Sequence, residues 1–203
     1  MTILSVNKTR ETEVGALRPF FAARTGSFDY GGYHMRKTTR TLVYGAVLAA
    51  IYVILTHLQN LLLPGTTSMV IQFRLSEALC VMALFTPAAI PGLSIGCLLY
   101  NLTNAGAMPL DPVLGTLATA LACGTMWLTR KLTIKNYPLP ALLCPAIWNA
   151  LLVGWELQLY FGGGFWLNAL YVAIGELAVL LVPGSILWYA IRARHLEARI
   201  FGR

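Results

Sequence analysis

The sequence predicts an all-α integral membrane protein of six spanning helices, and three observations predict it. The 203 residues are 57% hydrophobic and only 11% charged, with a mean hydropathy of +0.66, whereas a soluble globular chain carries roughly a quarter charged residues. Charge-free runs are long: none occurs from Thr41 to Phe73, and Leu75 to Leu110 holds only Glu77. Beyond the first 40 residues the basic side chains gather at a few places, with Arg130, Lys131 and Lys135 in one group and Arg192, Arg194, Arg199 and Arg203 in another. A chain of 203 residues has room for about six or seven spans of ~20 residues and for no sizeable domain outside the membrane. The formal charge of +7 is not the footprint of a nucleic-acid binder, because the basic residues sit between apolar runs rather than on a soluble face interleaved with aromatics.

Residues 1–34 are mixed polar and aromatic, with Arg18, Pro19, Phe20, Phe21, Tyr30 and Tyr33, and contain no apolar run of the kind a cleaved signal peptide needs. They are expected to be a disordered extension, or to precede a true start at Met35. The membrane domain then covers residues 35–203. Its first span is expected from Thr41 to Gln59, its second from Arg74 to Thr86 and its third from Pro91 to Asn104, with Pro87 and Pro91 marking the turn between the last two. A fourth helix runs from Asp111 to Thr129, a fifth from Leu139 to Tyr160 and a sixth from Phe165 to Ile191, the last two separated by Gly162, Gly163 and Gly164. Six spans put both termini on one side together with every basic group from Arg36 onward except Arg74, and the positive-inside rule makes that side cytoplasmic.

Ionisable groups inside a membrane cost a few kcal/mol each on insertion scales and mark polar cavities unless they pair structurally. Four acids fall in the spans: Glu77, Asp111, Glu156 and Glu176. Asp111 precedes Pro112 and reads as a helix cap. Arg74 and Glu77, three residues apart on one helix face, have two readings, a salt bridge that makes both tolerable in lipid or a shared role toward a substrate. Asn149 and Glu156 are seven apart and lie within about 20° on one helical stripe. Asn168 and Gly175 share another, flanked by Tyr171 and Glu176. Glu176 is the deepest of the acids and has no basic residue within a turn of it, which makes it the leading site residue. Small residues mark close helix approach in membranes. The first span offers two parallel steps, Gly45 with Ala49 and Ala46 with Ala50, and the fourth offers Gly115, Ala118 and Ala122.

The chain has no phosphate loop, no HExxH set, no serine elbow, and cysteines (Cys80, Cys97, Cys123, Cys144) without metal spacing, which read as small packing residues. His57 reads as a packing histidine. No cofactor is expected in this chain, and catalysis is the weaker class, a small intramembrane enzyme using Glu77 and Glu176 as acid and base being its best form. Without an ATP site or a repeated half, the chain needs an external motor to concentrate a solute.

Four stretches carry a resemblance: IQFRLSEAL (Ile71 to Leu79), FTPAAIPGLSIGC (Phe85 to Cys97), DPVLGTLAT (Asp111 to Thr119) and FWLNALYVAIGEL (Phe165 to Leu177). From Met35 onward the chain resembles the QueT family, substrate-binding S components of energy-coupling factor (ECF) transporters. The resemblance implies a six-helix protein of a prokaryotic cell membrane, with cytoplasmic termini, that binds a queuosine precursor at its outer side. The cargo would be 7-aminomethyl- or 7-cyano-7-deazaguanine, with queuine or its nucleoside as related candidates. Delivery would be by toggling in the membrane when joined to a transmembrane coupling subunit and two ABC-type ATPases, which consume the ATP. The AxxxA step of Ala46 and Ala50 is where the coupling subunit would dock. A guanine-like edge offers an N–H and an exocyclic amine that a carboxylate accepts bidentately, so Glu77 and Glu176 are candidate acceptors, one for that edge and one for an aminomethyl cation. Gln72, Asn149 and Asn168 are candidates for reading amine and carbonyl positions, and Trp148, Trp166 and Tyr171 for stacking. Arg74 would serve the ligand carbonyl or neutralise Glu77. An S component for another vitamin-like cargo is the alternative from the same class.

Overall fold

A computed structural model describes residues 37–66 and 73–197; the extension expected over residues 1–34, and Gln72, lie outside the described residues. The described chain is helical, in the order α1 (Lys37–Leu62), a 3-10 helix (Leu75–Leu84), α2 (Ala89–Thr103), α3 (Asp111–Thr129), α4 (Leu139–Phe161), α5 (Phe165–Val179), a π turn (Leu180–Gly184) and α6 (Ser185–Ala193). Since α5, the π turn and α6 form one continuous rod, six helical segments result, as the charge-free runs predict.

Four stretches, Thr38–Leu62, Asp111–Thr129, Leu139–Phe161 and Phe165–Ala193, are long and apolar enough to cross a membrane. The ten-residue 3-10 helix and the fifteen-residue α2 reach only about 20 Å each, at roughly 2.0 and 1.5 Å per residue. Large apolar side chains such as Leu42, Ile54, Leu61, Leu128, Trp166 and Ile186 face outward. In water such a surface would be an aggregation liability; around a six-helix bundle it is the surface that meets lipid.

Two irregular elements depart from the expected plain α-helices. The second span is wound as a 3-10 helix, whose three residues per turn eclipse side chains at i and i+3. Glu77, Cys80 and Ala83 therefore stack on one face, all buried. The sixth span is interrupted at Pro183, which lacks the N–H that would continue the α ladder, and the chain absorbs the missing bond by opening into a π turn. Gly184 closes this turn against the 3-10 helix, where an added Cβ would lie 3.3 Å from Val81 Cγ2.

Small residues set the closest crossings. A Cβ added at Gly92 would sit 2.6 Å from the Gly45 carbonyl oxygen, and one at Gly96 would sit 3.0 Å from that of Ala49. The Gly45–Ala49 step is thus consumed by packing of α1 on α2, while Ala46 and Ala50, one residue further round, are exposed. At the other hairpin, a Cβ on Gly154 of α4 would meet Ala169 Cα of α5 at 2.8 Å. The largest apolar cluster joins Leu48, Tyr52, Val81, Leu93, Tyr100, Met126, Leu142 and Trp188, with Cys80, Cys97 and Cys123 as small members of it, as their isolated spacing suggests.

Candidate functional site

The four membrane acids are nearly sealed from solvent, with exposures of 2% for Glu77, 1% for Asp111, 0% for Glu156 and 4% for Glu176. They come from four different helical segments, and their charges act on one another: Glu156 faces Asp111, Glu176 faces Glu77, and Arg74 lies within electrostatic reach of all four. Arg74 itself is buried, 5% exposed. A single cluster of carboxyl groups around the Arg74 guanidinium is the result.

Each acid is held differently. Glu77 is engaged on both oxygens: Tyr52 of α1 donates its hydroxyl to Oε1 at 2.5 Å, and the Cys80 thiol, brought beneath it by the 3-10 winding, donates to Oε2 at 3.2 Å. Along the same side of α1, Thr56 donates to Ser76 at 2.7 Å, and Gln59 accepts the Leu75 amide at 2.8 Å while donating to the Phe73 carbonyl. Tyr52, Thr56 and Gln59 recur at i, i+4 and i+7, a polar stripe within an apolar helix. That spacing was available in the sequence as a signal, but each residue alone reads as tolerated in a span.

The expected Asp111 cap is corrected in detail. Leu110 holds the cap position, Asp111 is the first helical residue and Pro112 the second. The Asp111 carboxylate turns back so that Oδ2 accepts the Met108 amide at 2.9 Å, and Oδ1 stands 3.8 Å from Arg74 Nη2. Arg74, the basic partner expected for Glu77, thus forms an ion pair across helices with Asp111. Arg74 also lies over the Tyr100 ring, 5.9 Å from its centroid, and the missing side chain of Gly115 leaves room for its Nη1 and for Asn101. Asn101 of α2, absent from the sequence-based candidates, donates to the Asp111 carbonyl at 2.9 Å.

On α4, Asn149 and Glu156 both fall on the buried stripe, as their spacing of seven predicts. Asn149 lies beside Glu176 of α5. Several buried atoms here have no hydrogen-bond partner: Asn101 Oδ1, Asp111 Oδ1, Asn149 Nδ2, both oxygens of Glu156, and Glu176 Oε2. Buried polar groups are ordinarily satisfied, since leaving one unpaired costs about 1–3 kcal/mol; here Glu156 is set against Asp111 and Glu176 against Asn149, so the side chains meet part of this need among themselves.

Other candidates fall elsewhere. Asn168 donates to the Gly162 carbonyl at 2.8 Å and fastens the turn between α4 and α5, where Gly162, Gly163 and Gly164 all take positive φ. The Trp148 indole donates to Thr125 at 3.2 Å on the seam between α3 and α4. Trp166 does not serve as an interior stacking surface: it is 79% exposed, edge-on to Phe165. Tyr171 is half-buried on α5. His57 bonds Thr103 at 3.0 Å and packs edge-on against Tyr100. A groove of about 390 Å³ lined by Lys135, Asn136, Trp188, Tyr189, Arg192 and Ala193 opens where α6 ends; it contains none of the acids, and the orphaned polar atoms make the interior cluster the stronger candidate.

Neither the curated proteins nor the solved structures searched gave a match to the chain. The profile of the family described as QueT transporter matches residues 42–193, which takes in α1 from its second residue-turn through the end of α6 and every residue of the buried acid cluster. The chain is a multi-pass membrane protein that belongs to the QueT transporter family.

Proposed function

We propose that this chain is the substrate-capture S component of an ECF-type uptake transporter, binding a queuosine precursor of the 7-deazaguanine class in the cluster of Glu77, Asp111, Glu156 and Glu176. The observation that carries the reading is the set of buried, unpartnered donor and acceptor atoms shared by α2, α3, α4 and α5. A flat nitrogen heterocycle satisfies such a set because its edge alternates N–H donors and carbonyl or ring-nitrogen acceptors. Glu176 and Asn149 lie side by side and bond each other; turned to a ligand, the carboxylate accepts and the amide donates, the complement of an amide-like edge. Glu77 stands behind them, held in place by Tyr52, and Tyr171 is the stacking candidate nearest to Glu176 in sequence. In this reading the acid-bearing end of the bundle faces the outside, with both termini cytoplasmic.

Transport requires an external source of energy. The exposed Ala46 and Ala50 give α1 a flat face for a transmembrane coupling subunit, which two ABC-type ATPases would drive. Ala50→Trp should leave ligand affinity unchanged and abolish ATP-driven uptake by the assembled complex. Loss of binding instead would make this face part of the internal packing.

Calorimetry on the purified protein tests the reading. A deazaguanine should bind tightly while thiamin, riboflavin and folate do not. Failure of every deazaguanine would overturn the cargo, and binding of one of the vitamins would reassign the chain to another cargo of the same transporter class.

A further inference from the structure

The groove where α6 ends is lined by two cations and no acid: Lys135, Asn136, Trp188, Tyr189, Arg192 and Ala193 surround about 390 Å³. Among the described residues neither cation has an ion-pair partner. Arg130, Lys131 and Arg194 add positive charge to the same two segments of chain. Glu197, four residues beyond the end of α6, is not part of the lining.

The two cations are held in place by their surroundings. Ile134 and Tyr137 exchange backbone hydrogen bonds at 2.9 and 3.0 Å and close a tight turn whose central residues, Lys135 and Asn136, take positive φ of 49° and 65°. Asparagine tolerates that region of backbone space, whereas lysine enters it where its neighbours dictate the conformation. Those neighbours are on α6 and the residue that opens it. Tyr137 stacks on Tyr189 at 6.2 Å, meets Trp188 edge-on at 5.6 Å and hydrogen-bonds the Ser185 hydroxyl. Arg192 in turn lies over the Trp188 ring, 5.3 Å from its centroid. Both cations are thus presented on one aromatic base.

Two unpaired cations and a side-chain amide, with no carboxylate among them, suit an anion that accepts several hydrogen bonds at once, which is the chemistry of a phosphate. The rest of the helix indicates where that phosphate comes from. Ile186, Tyr189 and Ala193 recur at i, i+3 and i+7 on one stripe, and Ile186 and Tyr189 are 66% and 58% exposed on a stretch long and apolar enough to cross a membrane. An apolar stripe that meets lipid therefore runs into a cationic groove at the end of the span, where tyrosine and tryptophan sit at headgroup level. A free phosphate would fill the groove and have no use for the stripe. We propose that this groove binds the phosphate of an anionic membrane phospholipid, with Lys135 and Arg192 on its oxygens, the Asn136 amide beside them and an acyl chain laid along Tyr189 and Ile186. A zwitterionic lipid carries its own cation next to the phosphate and is the poorer match to a positively charged lining.

The test is native mass spectrometry of the full chain released from detergent micelles that hold equal amounts of phosphatidylglycerol and phosphatidylcholine with the same acyl chains. Three proteins are compared: the wild type, the double variant Lys135→Gln with Arg192→Gln, and a control that loses the same charge outside the groove, Arg130→Gln with Lys131→Gln. The wild type should retain phosphatidylglycerol over phosphatidylcholine by roughly 10- to 30-fold, the range of two basic side chains beside an anionic headgroup. The groove variant should lose that preference and the control should keep it. Equal retention of the two lipids by the wild type, or a preference for phosphatidylcholine, would overturn the proposal. So would a preference that survives in the groove variant, or one that falls equally in both variants, which would make it a property of overall charge. Millimolar inorganic phosphate should leave the bound lipid in place; its displacement would assign the groove to a free anion. A groove variant that keeps the lipid preference but no longer assembles with a transmembrane coupling subunit would assign the groove to a protein partner and overturn the lipid. The wild-type comparison decides the matter even where a variant fails to fold.

Discussion

Tyr52, Thr56 and Gln59 on α1 each find a partner on the 3-10 helix or the residues leading into it, whereas Asn149, Glu156 and Glu176 on α4 and α5, buried as deeply, keep atoms with none. The first region is closed on itself: glycine-mediated contact of α1 on α2, a carboxylate with both oxygens engaged, and a side-chain amide used at both ends. The second holds polar atoms at a cost to the fold. Residues that are satisfied within the protein stabilise it, and residues that are left unsatisfied are held for something else. Mutation should therefore separate the two regions, with stability lost in the first and affinity lost in the second.

The largest effect is expected at the α1–α2 crossing. Gly92→Leu places a side chain where a Cβ alone would already be 2.6 Å from the Gly45 carbonyl oxygen, and neither backbone can yield without moving a helix. A loss of about 3 kcal/mol or more is expected, read as a large fall in thermal midpoint or as failure to purify monodisperse protein. On the other side of the comparison, Glu176→Gln should weaken deazaguanine binding by about 1–3 kcal/mol and leave the thermal midpoint of the empty protein unchanged or higher. A fall in that midpoint would place Glu176 with the structural polar groups.

Tyr52→Phe sharpens the contrast from the satisfied side. It strips Glu77 Oε1 of its 2.5 Å donor while preserving the ring in the core, and should cost about 1–2 kcal/mol of stability, measurable by thermal unfolding in detergent. The smallest effect belongs to Trp148→Phe, which removes the indole bond to Thr125 and should cost about 1 kcal/mol with ligand affinity unchanged. A large loss of affinity there would return Trp148 to the binding site as a stacking surface.

Much of this was legible in the sequence, for identifiable reasons. The fourth helix spans Asp111–Thr129 as its proline and flanking charges indicate, and the fifth starts at Leu139 as expected and ends one residue later, at Phe161. The acids were recognisable because a carboxylate in an apolar run is costly enough to demand a purpose. Asn101 and Tyr52 were not, since an isolated amide or phenol in an apolar helix carries no such penalty and gains significance only from what it faces. Trp166 stands two residues before Asn168, about 200° round the helix, and so on the face opposite the polar stripe, where it is exposed.

What the sequence determined by itself is the number of helical segments, their extents to within a few residues and the presence of four carboxylates in lipid-compatible runs, because each of these follows from composition and local periodicity. Tertiary packing decided the rest. It chose which of two equally spaced small-residue steps on α1 would be buried, Gly45 with Ala49, and which would stay open, Ala46 with Ala50. It also drew Arg74 to Asp111 across helices and set Glu156 against the same Asp111. The physical reason is that a helix fixes the angles among its own side chains but not its rotation about its axis, and that rotation is settled only by the neighbours it meets.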